Sequence, residues 1–501
     1  MAQKNFEFLE LSRKAPKERW APERVEDFNE IQGNYSPNEA KLQASRCLDC
    51  GTPYCQFKCP VQNYIPQWLR LVEEGRILEA ATLSHQTNSL PEICGRVCPQ
   101  DRLCEGSCTL DEDFGAVSIG AIEKYITDTA LAMGWKPEIA DITKTGKKVA
   151  IIGAGPAGLA CADILTQHGI TAVVYDKHPE IGGLLSFGIP SFKLEKDVVV
   201  KRREILEYMG VEFKLNTEVG KDISFDEIYQ QYDAVFIAVG CYKNMRANIP
   251  GEHLKGFYQA LDYLVNNNHK QMGLIDKATH HDFYFKRVLV LGGGDTAMDC
   301  ARTAVRQQAS SVYCAYRRNE ASMPGSKREV YKAKEEGVKF LWHYQPLEII
   351  GSDQVEAVRF ARTKIVVDAF TQRSILEIDE SDEVIIPADA VVIAFGFQPH
   401  EINWLDRYNI QTDEYGRIQT NVTINDHGES KAKNVNEVNA VNGATEVIEA
   451  SEAKKQKRFA FQTHNDKVFA GGDITRGSDL VVTAIFEGRS AARGIISYLS
   501  E

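Results

Sequence analysis

The segment "GKKVAIIGAGPAGLACADILTQHGITAVVYD" reads as a β-branched strand, a glycine turn, a helix and a second strand. A second segment, "KRVLVLGGGDTAMDCARTAVRQQASSVYCAYRR", repeats the order. In the first unit Gly153, Gly155 and Gly158 form G-x-G-x-x-G at the strand-to-helix junction. Gly153 allows the tight turn, Gly155 lets backbone approach a pyrophosphate, and Gly158 lets helix and strand pack closely. In the second unit Gly292, Gly294 and Ala297 take the corresponding places. Two such units predict an α/β chain with two doubly wound, Rossmann-like dinucleotide-binding domains, and 501 residues exceed what one core supports.

The units differ where the second strand ends. The first ends in Asp176, a carboxylate able to accept from ribose hydroxyls; the second runs into Arg317 and Arg318. Arginines there pair with a 2'-phosphate that a carboxylate would repel, so the second unit is expected to prefer NADPH. Two dinucleotide domains in one chain suggest one flavin and one nicotinamide. The C-terminal "VFAGGDITRGSDLVVTAIFEGRSAARGI", with Asp473 in its Gly-Gly-Asp turn before a long helix, has the pattern of a segment returning to a flavin domain. FAD is therefore assigned to the first unit, with the NADPH domain inserted in the FAD domain. No cysteine occurs in "EIGGLLSFGIPSFKL", where a disulfide reductase would place its pair, and Cys161, Cys241, Cys300 and Cys314 read as small buried hydrophobes.

The remaining eight of the twelve cysteines fall in two runs, "CLDCGTPYCQFKCP" and "CGRVCPQDRLCEGSC", ahead of the first glycine turn and among short helical patterns. The start of the chain lacks an apolar signal core and no long apolar run follows, so a cytoplasmic protein without membrane contact is expected. In a reducing compartment clustered thiols point to metal. Structural zinc pairs knuckles across a dozen or more residues, whereas the compact first run closing on Cys-Pro is nearer the bacterial ferredoxin pattern, with zinc and plain thiols as alternatives. The net charge of -12, from Lys+Arg 58 and Asp+Glu 70, comes without a basic stripe, which argues against nucleic acid.

These cysteine runs, followed by "KKVAIIGAGPAGLA", "EIGGLLSFGIPSFKLEKDV", "LGGGDTAMDCARTAVRQ", "AYRRNEASMPGSKREV", "VIAFGFQPH" and "AGGDITRGSDLVVTAIFEGR", resemble the small (beta) subunits of NADPH-dependent glutamate synthases from about residue 40 to 500. Related modules occur in dihydropyrimidine dehydrogenase. The resemblance implies an N-terminal α-helical domain with two 4Fe-4S clusters at 1–145, FAD domain parts at 146–280 and 401–501, an NADPH domain at 281–400, and a polar excursion near 425–458.

It further implies one cluster on Cys47, Cys50, Cys55 and Cys108, and another on Cys59, Cys98 and Cys104 with Glu123 or Cys94 as fourth ligand. Flavin contacts would map onto Gly153, Gly155, Pro156, Ala157, Gly158, Asp176, Gly183, Leu184, Lys193, Val219, Gly472, Asp473, Val482 and Thr483. Nicotinamide contacts would map onto Gly292, Gly294, Asp295, Thr296, Arg317, Arg318, Ala394, Phe395 and Gly396. Hydride transfer between cofactors needs no catalytic acid or base from the chain. Electrons would pass from NADPH through FAD and the clusters to a glutamate synthase large (alpha) subunit, in a hetero-oligomer that makes L-glutamate from L-glutamine and 2-oxoglutarate. The alternative is an NADPH oxidoreductase standing alone or serving another acceptor, ferredoxin or polysulfide.

Overall fold

The computed structural model describes residues 6–276, 279–367, 374–424, 430–432 and 459–501. The expected excursion near 425–458 lies outside the described residues, apart from the short strand Ser430–Ala432, which pairs antiparallel with Val422–Ile424. Chain contacts divide the molecule into two units interleaved in sequence. One comprises Met1–Trp135, Gly182–Arg202 and Cys241–Gln398; the other comprises Lys136–Ile181, Arg203–Gly240 and Pro399–Glu501.

The second of these units is built on a five-stranded parallel sheet in the order Val468–Ala470, Ala234–Ile237, Lys148–Ile152, Thr171–Tyr175, Glu212–Lys214. Residues Val149 to Ile152 and Ala234 to Ile237 are all buried, as expected of parallel strands covered on both faces. Helices Pro156–Gln167 and Val481–Leu499 pack on each other through small residues. A Cβ on Gly488 would meet the Ala157 carbonyl oxygen at 2.0 Å, so glycine is required for this approach.

The other unit holds the cysteine runs and the second glycine turn. Its N-terminal part is helical, with Pro37–Ser45, Ile65–Glu73, Ile77–Thr87, Pro91–Val97 and Ile119–Ala132 as the main elements. Ser36 and Glu39 form a reciprocal capping box at the first of these. Trp68, Leu69, Val72, Ile122 and Ile126 fill the space between the helices. A second five-stranded parallel sheet follows, in the order Phe257–Gln259, Ala390–Ile393, Arg287–Leu291, Ser311–Tyr316, Lys339–Trp342, with a separate antiparallel sheet of Tyr344–Ile350, Ala357–Val367 and Ser374–Pro387.

This corrects the expected boundary at 280. Phe257–Gln259 pairs with Val391–Ile393, and helix Ala260–Gln271 contributes Tyr263 and Leu264 to the core beneath the second sheet. Phe257–Gln259 and Ala260–Gln271 therefore belong with the second sheet, because they supply its edge strand and one of its covering helices.

A buried ion network anchors helix Asp295–Arg306, whose N-terminus carries the second glycine turn. Glu336 accepts from Arg302 (2.9 Å twice), Arg306 (2.7 and 3.2 Å) and Arg24 (2.8 Å). The guanidinium groups of Arg302 and Arg306 also lie over the Phe192 ring, 4.7 and 3.8 Å from its centroid. One carboxylate thus fixes the N-terminal segment, the 182–202 segment's aromatic anchor and the nucleotide-turn helix to a common point.

Candidate cofactor sites

Three thiols of the first cysteine run and one from the end of the second meet in one pocket. Cys47, Cys50, Cys55 and Cys108 line it, with Leu48, Pro66, Leu69, Leu110, Val117 and Ile119 among its walls. The short helix Tyr54–Lys58 carries Cys55, and the turn at Cys108 brings Thr109 Oγ1 within 3.5 Å of the Cys50 sulfur. Burial pushes the Cys55 thiol up to about 12, with Cys47 and Cys108 adding to the effect. Four soft donors around an apolar-walled pocket fit a metal cluster of the thiolate-ligated kind.

A second group lies deeper. Burial pushes Cys59 up to about 12, with Glu123 and Cys94 also acting on it. Cys98 is raised first by its hydrogen bond with Cys94 and then by burial, while burial, Glu105, Cys59 and Glu123 raise Cys104. Glu123 is buried on helix Ile119–Ala132, accepts from Asn63 Nδ2 (2.9 Å) and Asn88 Nδ2 (3.4 Å), and is pushed by burial up to about 8. Cys59 acts on Cys98 and Cys104, with Glu123 acting on all three and Cys94 on Cys59 and Cys98.

At the first glycine turn, Gly153 has φ 108° and its Cβ would meet the Ala238 carbonyl oxygen at 2.4 Å. A Cβ on Gly155 would meet nothing within 4 Å, which leaves a cradle open for a phosphate where helix Pro156–Gln167 starts. The C-terminal turn adjoins it, since a Cβ on Gly472 (φ 80°) would touch the Ala157 Cβ at 3.0 Å. Asp473 opens the next short helix, and burial, then Asp479 and Glu487, push its carboxyl up to about 7. Val482 is buried and the Thr483 hydroxyl donates to the Leu480 carbonyl at 2.6 Å, both in the first turn of helix Val481–Leu499. Val219 forms an isolated bridge with Ile223 in the same unit.

Asp176 holds the first turn itself: its Oδ2 accepts the Ala154 N–H at 2.7 Å and its Oδ1 the His178 N–H at 2.8 Å. Asp176→Ala is expected to weaken FAD retention on the order of tenfold, the effect of removing a charged acceptor from backbone donors, without changing nicotinamide preference. Release of FAD fluorescence on dilution measures it, and unchanged retention would show that the turn keeps its shape without the carboxylate.

Gly183, Leu184 and Lys193 belong to the cysteine-bearing unit. Gly183 (φ 54°) caps helix Leu184–Phe187. The Lys193 ammonium is paired with Asp299 at 2.9 Å and Glu329 at 3.5 Å, so its charge is largely taken up by carboxylates of the nucleotide-turn region.

The second glycine turn has the same cradle. Gly292 (φ 147°) lies against the Ala394 carbonyl oxygen, which brings the "AFG" segment to the strand end, and a Cβ on Gly294 would meet nothing within 4 Å. Asp295 and Thr296 open helix Asp295–Arg306. Asp295 Oδ1 accepts the Ser326 N–H at 2.8 Å, and its Oδ2 lies 3.6 Å from Arg102 of the second cysteine run. Arg317 and Arg318 follow strand Ser311–Tyr316, are exposed, and make no ion pair among the described residues. Phe395 is exposed beside Gly396, which has φ 101°.

Two side chains not singled out in the sequence support these turns. Arg102 donates to the Pro324 carbonyl at 2.9 Å besides facing Asp295. Glu487 accepts from the Gly472 N–H (2.7 Å), Thr475 Oγ1 (3.1 Å) and Arg476 Nε (2.9 Å), which holds the Gly-Gly-Asp turn. An acid on the apolar stripe of Ala484, Ile485, Ala491 and Ala492 is the signal that marks Glu487 in sequence.

Residues 24–135 match the family described as dihydropyrimidine dehydrogenase domain II, 4Fe-4S cluster, and residues 147–435 match the pyridine nucleotide-disulphide oxidoreductases. The glutamate synthase [NADPH] small chain of Halomonas elongata is 53% identical over 99% of this chain and 98% of its own length. That of Escherichia coli (strain K12) is 53% identical over 100% of both. The chain belongs to the glutamate synthase small-chain family. It is accordingly an NADPH-dependent flavin oxidoreductase with an iron-sulfur domain, and FAD, NADPH and 4Fe-4S are its cofactors. A putative oxidoreductase of E. coli, AegA, is 50% identical over 94% of this chain but only 67% of its own length. FprA of Mycobacterium tuberculosis in complex with NADPH superposes with a TM-score of 0.52 at 18% identity, over 71% of this chain and 84% of that one, a likeness of fold alone. Among the described residues no helix is long and apolar enough to cross a membrane.

Proposed function

We propose that this chain is the electron-input subunit of a glutamate synthase, taking electrons from NADPH and delivering them through two 4Fe-4S clusters to a large subunit that forms L-glutamate from L-glutamine and 2-oxoglutarate. The observation that carries the reading is the coexistence, in one chain similar end to end to glutamate synthase small chains, of two open glycine cradles and a pocket of four thiols. When bound, the flavin accepts hydride from NADPH and the clusters pass single electrons on.

The chain's own residues bind and orient. Gly155 and Gly294 leave room for two pyrophosphates at helix N-termini, Glu487 fixes the turn that bears Asp473, and Arg317 and Arg318 select the 2'-phosphate. Cys47, Cys50, Cys55 and Cys108 hold one cluster; Cys59, Cys98 and Cys104 hold the other with Glu123 or Cys94. The partner is the large subunit in a hetero-oligomer, and the setting is the cytoplasm.

Purified anaerobically, the chain should reduce dyes with NADPH and form no glutamate alone. Addition of a glutamate synthase large subunit should start glutamate formation. The likeness to AegA favours a second reading, in which the same module serves a different acceptor such as ferredoxin or polysulfide. Failure to bind or activate any large subunit, with NADPH-dependent dye reduction intact, would favour that second reading.

A further inference from the structure

Arg46 is fully buried, with 0% of its surface exposed, in the residue immediately before Cys47. Its guanidinium is held entirely by backbone carbonyls: Nε donates to Leu11 (2.9 Å), Nη1 to Ala116 (2.9 Å), and Nη2 to Phe114 (2.7 Å) and Gly115 (2.8 Å). Among the described residues no carboxylate pairs with it, in contrast to Arg24, Arg96, Arg202, Arg302 and Arg306, whose buried guanidiniums all meet Asp or Glu. Carbonyl dipoles solvate a cation but leave its charge uncancelled, and an uncancelled buried charge favours an anion close by.

The missing anion is identified by position. Arg46 caps the end of helix Pro37–Ser45, and the next residue, Cys47, lines the pocket with Cys50, Cys55 and Cys108. The Ala116 carbonyl that accepts from Nη1 directly precedes Val117, which lines the same pocket. A cubane bound by four thiolates is a dianion that becomes a trianion on reduction. A fixed buried cation beside it is attracted more strongly to the reduced form.

We propose that Arg46 is the buried counter-ion of the cluster on Cys47, Cys50, Cys55 and Cys108, and that its fixed charge raises the potential at which that cluster accepts an electron. The proposal rests on those four cysteines being the ligands of one cluster. It makes Arg46 a positioning residue for charge, separate from its tethering of residues 11 and 114–116.

The test is a redox titration of the anaerobically purified full chain, followed by electron paramagnetic resonance. Cys108→Ser first identifies the signal that belongs to this cluster; if neither signal changes, the ligand assignment fails irrespective of Arg46. With that signal identified, Arg46→Gln should shift its midpoint downward while the other cluster titrates as before. Arg46→Lys, which keeps the charge and loses the planar fork, should keep the cluster close to its original midpoint. An intact cluster with unchanged midpoint in Arg46→Gln would overturn the proposal. So would equal behaviour of the Gln and Lys variants, whether an equal shift or an equal loss of the cluster, since the hydrogen-bonding fork and not the charge would then be what matters.

Discussion

Replacement of Arg317 and Arg318 together by alanine is expected to weaken NADPH by about a hundredfold or more and NADH by no more than a few fold. Each charged hydrogen bond to a phosphate contributes about 1.5 to 3 kcal/mol, or roughly ten- to a hundredfold in affinity. The structure favours a clean result, because the backbone at this strand end is held independently of the guanidinium groups. The Arg317 carbonyl accepts from Thr363 Oγ1 at 2.6 Å and the Arg318 carbonyl from the His343 N–H at 3.3 Å. Both side chains are exposed, so their removal leaves no buried partner behind. Titration of both nucleotides against the variant reads the effect, and equal weakening would mean that the pair acts on a part the nucleotides share.

The second large effect is on stability. Glu336→Ala should destabilise the cysteine-bearing unit by about 3 to 5 kcal/mol, since it strands Arg24, Arg302 and Arg306 without their common carboxylate. The same group gives the unit an acid limit. Burial alone would raise the Glu336 carboxyl, but hydrogen bonds from Arg302 and Arg306 hold it at about 2 against an ordinary 4.5. A depressed folded value means that its contribution is complete above about pH 4.5 and is lost as pH falls toward 2. Calorimetric melting of the wild type and Glu336→Ala should therefore differ most near neutrality and converge in acid. A difference under about 1 kcal/mol at pH 7 would show that the three arginines find other partners.

The parts legible in the sequence are those where chemistry imposes a local pattern. Gly153 and Gly292 are glycines because a neighbouring carbonyl occupies the space of a Cβ, and that requirement is visible as a motif. The meeting of Cys108 with Cys47, Cys50 and Cys55 is not a local property; it was reached through resemblance alone, and the pocket brings the four together. The expected boundary at 280 misses Phe257–Gln259 because a three-residue strand has too few side chains to show a period, and its partner Val391–Ile393 is far along the chain. The network around Glu336 was invisible for a different reason. Arg302, Arg306, Glu329 and Glu336 have the spacing of ordinary solvated helices, and only packing reveals that they face inward.

Electrons from NADPH are expected to leave the chain through its iron-sulfur domain. The decisive measurement is coupled glutamate formation by the complex of large subunit with the chain carrying Cys50→Ser and Cys59→Ser together, after iron and sulfide analysis has established that both clusters are missing. The wild-type chain should carry about eight iron and eight sulfide, two cubanes' worth. Cluster-deficient chains that still bind FAD and the large subunit should retain NADPH-dependent dye reduction while glutamate formation falls to background. Undiminished glutamate formation from a complex verified to lack both clusters would contradict the relay.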